Sequence, residues 1–139
     1  MASLQSVSIR YIVNDVDAAI TFYRNELGFE LVMHPAHAFA MMSRGPLRLV
    51  LSQPGGGAGG GQAMPDGTLP QPGGWNRFSI EVDGLEAIVA TLNSHGAHFR
   101  NAIVDGVGGR QAIVDDPSGN PVELFEPTIP EAKLGANPV

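Results

Sequence analysis

Two stretches of this 139-residue chain, 69 positions apart, run through the same order of patterns. Val7-Ser8-Ile9-Arg10-Tyr11-Ile12-Val13 and Arg77-Phe78-Ser79-Ile80-Glu81-Val82 alternate in the manner of half-buried strands. Each leads into a helical stripe: Val16, Ala19, Ile20 and Tyr23 between Asp15 and Leu27, then Leu85, Ile88, Val89 and Leu92 between Leu85 and Ser94. Asp15 or Asp17 is placed to cap the first helix, and Gly28 and Gly96 stop the two. Strand patterns follow over residues 29–34, 38–43 and 47–52 in the first half, and over 99–104, 110–114 and 122–125 in the second. The last strands share an ending, Leu51-Ser52-Gln53-Pro54 against Leu124-Phe125-Glu126-Pro127. The chain therefore reads as a tandem βαβββ repeat of class α+β, with module one at 6–53, module two at 75–127 and a tail at 128–139.

Between the modules, residues 54–74 hold nine Gly and four Pro, which reads as a flexible hinge with the capacity to fold over a site as a lid. A phosphate-binding loop would need a helix directly after these glycines, and three more prolines follow instead. Away from the hinge, Gly and Pro fall to ordinary levels, and 43% of the chain is apolar against 16% charged, so it folds. The net charge of −6 disfavours nucleic-acid partners. No apolar run is long enough for a membrane span, no signal sequence is apparent and cysteine is absent, which together suggest a cytoplasmic protein. Module one balances four Arg against four acids, whereas module two sets three Arg against eight.

The string Val13-Asn14-Asp15-Val16-Asp17-Ala18-Ala19-Ile20-Thr21-Phe22-Tyr23-Arg24-Asn25-Glu26-Leu27-Gly28-Phe29, with Asp116-Pro117-Ser118-Gly119-Asn120-Pro121-Val122-Glu123-Leu124, resembles the vicinal oxygen chelate superfamily of glyoxalases, bleomycin-resistance proteins and extradiol dioxygenases. The resemblance covers nearly all of residues 6–127. It implies curved mixed sheets, each backed by a helix, around a cup-shaped cavity, and assembly as a homodimer. It also implies one divalent metal held by His, Glu or Gln on the first and last strands of each module. Those positions fall here on Ser8, Val50, Arg77 and Glu123. Only Glu123 is a good ligand, and Arg77 brings a charge that does not titrate away. The expectation is no cofactor and no metal, with Arg77 paired to Glu123 where the metal would have been.

Strand alternation puts Ser8, Arg10 and Ile12, then Arg48, Val50 and Ser52, on the face away from the first helix, and Arg77, Ser79, Glu81, Glu123 and Phe125 on the matching face of module two. Arginine forks there suit an anionic or zwitterionic ligand, while the acidic balance suits a cationic antibiotic. Trp75 is a candidate for stacking, Phe39, Met33, Met41 and Met42 for lining a pocket or filling a core, and His37 for acid–base work at the mouth of the cup. His34, His95 and His98 read as solvated or capping residues. Two functions follow from these residues. One is a metal-free protein that sequesters a small molecule. The other is an enzyme of lyase, isomerase, epimerase or dioxygenase type, using an atypical metal site or else Glu123 as base and Arg77 as stabiliser of an enolate-like anion.

Overall fold

The computed structural model describes residues 7–56 and 59–133; Met1–Ser6, Gly57–Ala58 of the hinge and the tail from residue 134 lie outside them. Its contacts divide the chain into two compact units. The first runs to Gly74 and includes Pro117–Asn120; the second comprises Trp75–Asp116 and the chain from Pro121 onward. Each unit is one βαβββ module, so the fold is α+β. No described helix is long and apolar enough to cross a membrane.

In the first unit, β1 (Val7–Ile12) leads to α1 (Val16–Leu27), then β2 (Glu30–Ala36), β3 (Phe39–Arg44) and β4 (Leu47–Ser52). The sheet order is β1-β4-β3-β2, with β1 parallel to β4 and the rest antiparallel. A parallel pair needs a long crossover, and here α1, β2 and β3 form it. Tyr11, Val13, Leu49, Leu51, Ala40 and Met42 are buried with Val16, Ala19, Ile20, Tyr23 and Leu27 of α1. The Tyr23 and Phe29 rings meet edge-on at 5.3 Å within this core. Gly28 ends α1 in the left-handed conformation, φ 72°, and its N–H reaches the Tyr23 carbonyl.

The second unit repeats the plan. β5 (Phe78–Glu81) leads to α2 (Leu85–Ser94) and a sheet of order β5-β9-β8-β6, in which β5 is parallel to β9 (Pro121–Pro127). The core here is Phe78, Ile80, Val82, Leu85, Leu92, Ala112, Val114, Val122 and Leu124. The strand expected over 99–104 is instead two short pieces, β6 (His98–Phe99) and β7 (Val104–Asp105), that pair with opposite ends of β8 (Gly109–Asp115). Asn101 is the interruption: its side-chain oxygen accepts the Ile113 N–H at 2.8 Å, taking a bond that a neighbouring strand's backbone would otherwise make.

The shared Gln53-Pro54 and Glu126-Pro127 endings have a structural reason. Gln53 Oε1 accepts the Val16 N–H at 3.1 Å, and Glu126 Oε2 accepts those of Gly84 and Leu85 at 2.7 and 3.2 Å. Each module thus uses the end of its last strand to satisfy the first turn of its own helix. Asp15 adds a side-chain cap to α1 through Ala18 N–H, whereas Gly84 of α2 has no side chain to offer.

The described part of the hinge contains hydrogen-bonded turns. Gly55 N–H bonds to the Gly61 carbonyl at 2.6 Å and Gly56 N–H to that of Gln53, and a second turn is closed by Met64, Gly67 and Thr68. A Cβ on Gly61 would run into the Gln53 carbonyl, and one on Gly60 into the Arg10 guanidinium. These glycines permit close backbone approach, so their composition encodes packing as well as freedom.

Candidate functional site

The open face of module two carries the five residues that strand alternation put there. Arg77 enters β5, Ser79 lies on it, and Glu123 stands opposite Ser79 on β9. Arg77 Nη2 and Nε lie 2.9 and 3.0 Å from Glu123 Oε1, and Ser79 Oγ donates to Oε2 at 3.4 Å. The third guanidinium nitrogen, Nη1, donates to the Trp75 carbonyl at 3.2 Å. The pair is about a quarter exposed, 27% and 21% for the two side chains, so water weakens it while a ligand covering it would strengthen it. Glu81 and Phe125 face each other in register one step along the same strands.

Beside this pair the sole tryptophan, Trp75, is 69% exposed and carries the Arg100 guanidinium 4.6 Å from its ring centroid. Arg100 is fixed in turn by Asp115, Nε to Oδ1 at 2.6 Å. An exposed indole held by a cation that is itself anchored is a preformed stacking surface. Sequence reasoning missed Arg100 and Asp115, because β6 and β8 join them across 15 positions with no motif to mark them. His95, at the end of α2, lies on none of these strands.

In module one, Ser8 is exposed on β1 and Val50 is buried on β4, with Arg10 opposite Val50 and Arg48 opposite Ser8. Met41 sits across from Val50 and Phe39 across from Ser52, both half-buried on this face. Arg48 Nη1 makes a weak contact, 3.4 Å, with Met41 Sδ. The other methionines separate: Met42 is core, Met33 is exposed on the edge strand. His37 is not placed with these residues. Its Nδ1 lies 4.0 Å from Asp17 in the first turn of α1, and His34 Nε2 lies 3.7 Å from the same carboxylate, so the helix side of the sheet holds both. His98 sits 4.0 Å from Asp115.

These donors do not fit a divalent metal. Among the described residues no three His, Cys, Asp or Glu side chains converge. The one ligand-type residue at a mapped position, Glu123, has both oxygens engaged, and a guanidinium occupies the place from which a second ligand would point.

Pro117–Asn120 form a joint within the first unit. Asn120, only 4% exposed, donates from Nδ2 to the Ile12 carbonyl at 2.7 Å and accepts the Gly73 N–H at 2.8 Å, while Ser118 Oγ accepts the Asn14 N–H.

Comparison with known proteins agrees with this architecture. Residues 5–124 match the model of the Glyoxalase/Bleomycin resistance protein/Dioxygenase superfamily. The chain belongs to that superfamily. Among solved structures it is similar to TnmS3, an antibiotic binding protein from Streptomyces sp. CB03234, at 25% identity and TM-score 0.68, over 92% of this chain and 99% of that one. It is similar to a superfamily member from Sphaerobacter thermophilus DSM 20745 at 27% identity and TM-score 0.68, over 91% and 98%. A lactoylglutathione lyase from Agrobacterium tumefaciens shares the fold, with TM-score 0.68 at 20% identity over 91% and 96%. No curated protein matches the sequence.

Proposed function

We propose that this protein binds a small organic molecule on the open face of module two without a metal, and sequesters it unchanged. The observation that carries the reading is the Arg77–Glu123 pair, which puts a permanent cation and its counter-ion where the superfamily's resemblance implies metal ligands. The pair offers an anionic group the guanidinium and a cationic group the carboxylate, while Trp75 offers a flat apolar partner a stacking surface. A planar zwitterion with a charged substituent matches all three. The likeness to an antibiotic binding protein at 25% identity supports binding over turnover. An enzymatic role for Glu123 as base would first require its oxygens to be released from Arg77 and Ser79.

The protein works as a homodimer in this proposal. The edge strand β2 supports that: it leaves Leu31, Val32 and Met33 exposed, with a register shift at Val32. Light scattering at micromolar concentration is expected to give twice the 14.6 kDa chain mass.

The test of binding uses the sole tryptophan. Titration with aromatic zwitterionic antibiotics and small aromatic carboxylates is expected to change Trp75 emission saturably, and chromatography to return the ligand unaltered. Arg77→Ala is expected to weaken the same ligand by about tenfold, roughly the value of one charged hydrogen bond. Conversion of a bound compound to product would replace sequestration by catalysis.

A further inference from the structure

On the open face of module one, two arginines have no carboxylate partner among the described residues. Arg10 stands opposite Val50, and Arg48 and Ser52 lie two residues to either side of Val50 on β4, so all three side chains share the face away from α1. Strand spacing puts Arg10 about 8 Å, Cα to Cα, from each of the other two, within the reach of a guanidinium toward a group held between them. Among the described residues neither Arg10 nor Arg48 has a carboxylate partner, and the sole polar contact of Arg48 is the Met41 thioether. Ser52 provides a second, independent observation: its side chain is 1% exposed and its Oγ has no hydrogen-bond partner. A buried hydroxyl without a partner is costly and calls for a bonding partner that the resting fold does not supply.

We infer that Arg10, Arg48 and Ser52 form an oxyanion site, for a carboxylate or a phosphate, on the open face of module one. The chemistry is donor-only: two guanidinium forks and a hydroxyl free to donate, with no acidic side chain among the three to repel an anion. Two glycines of the hinge border the site. Gly60 lies against the Arg10 guanidinium and Gly61 approaches the Ser52 Cβ.

The probes are inorganic phosphate and citrate, titrated by calorimetry at low ionic strength into the full chain. Arg10→Gln and Arg48→Gln are expected to weaken binding tenfold or more. Ser52→Ala is expected to weaken it several-fold while leaving the melting temperature without anion equal to or above that of the parent, because the hydroxyl bonds to nothing in the resting fold. Arg24→Gln, an exposed arginine on α1, controls for overall charge and is expected to change nothing. The preferred probe separates carboxylate from phosphate. Arg77→Gln is expected to bind the anion normally, so this site and the proposed ligand site stand or fall separately. Wild-type protein that binds neither probe, Arg10→Gln that binds as tightly as the parent, or losses matched by Arg24→Gln would each overturn the proposal.

Discussion

Asn120 does more for the fold than its place in a turn suggests. Its amide joins the end of β1 to Gly73 with two bonds from a buried position. Asn120→Ala leaves a part-buried carbonyl and a part-buried N–H without these bonds, so a loss of about 1–3 kcal/mol in stability is expected by urea denaturation. Asn120→Asp keeps the acceptor but turns a carboxylate toward the Ile12 carbonyl, and it is expected to cost at least as much. Gly61→Ala belongs at the same scale. Its methyl would strike the Gln53 carbonyl, backbone that cannot swing aside, so the turn must open and the melting temperature is expected to fall. Gly60→Ala meets only the flexible end of Arg10 and is expected to be milder. The sequence announced both glycines as freedom; their backbone approach emerges only when the turn folds onto β1 and β4.

The two helices differ in how their first turns are satisfied. α1 shares the task between Asp15 and Gln53, whereas α2 relies on the carboxylate of Glu126, which also lies 3.7 Å from Arg110. Glu126→Ala is therefore expected to cost about 1–2 kcal/mol and Gln53→Ala about 1 kcal/mol or less, measured by chemical denaturation. Glu126→Gln, which keeps an acceptor, is expected to recover part of the loss. The elements themselves were readable: alternation marked β1, β4, β5 and β9, and the stripes and glycine stops marked α1 and α2 to within a residue. What could not be read was the break of the strand after Phe99, since a side chain of Asn101 replacing a backbone partner leaves no periodic trace. The face assignments transferred well because a two-residue period admits one answer once a strand is in register. His37 shows the limit, because turn residues have no period and its direction is set by Asp17 on the helix.

At the scale of the molecule, one fold of this superfamily carries two open sheet faces of different chemistry. Module two presents a neutralised pair beside an exposed indole; module one presents a buried hydroxyl and two arginines that have no carboxylate partner among the described residues. The difference follows the uneven charge of the halves, since the acids of module two, Glu123 and Asp115 among them, are already paired with Arg77 and Arg100. The central claim is that Arg77 replaces metal chemistry in this site. The most direct measurement is elemental analysis after dialysis of the purified chain against Mn, Fe, Ni and Zn and exhaustive buffer exchange. The account predicts substoichiometric metal for every ion and unchanged Trp75 titrations in the presence of a chelator. One tightly held metal per chain, lost on Glu123→Gln, would contradict it.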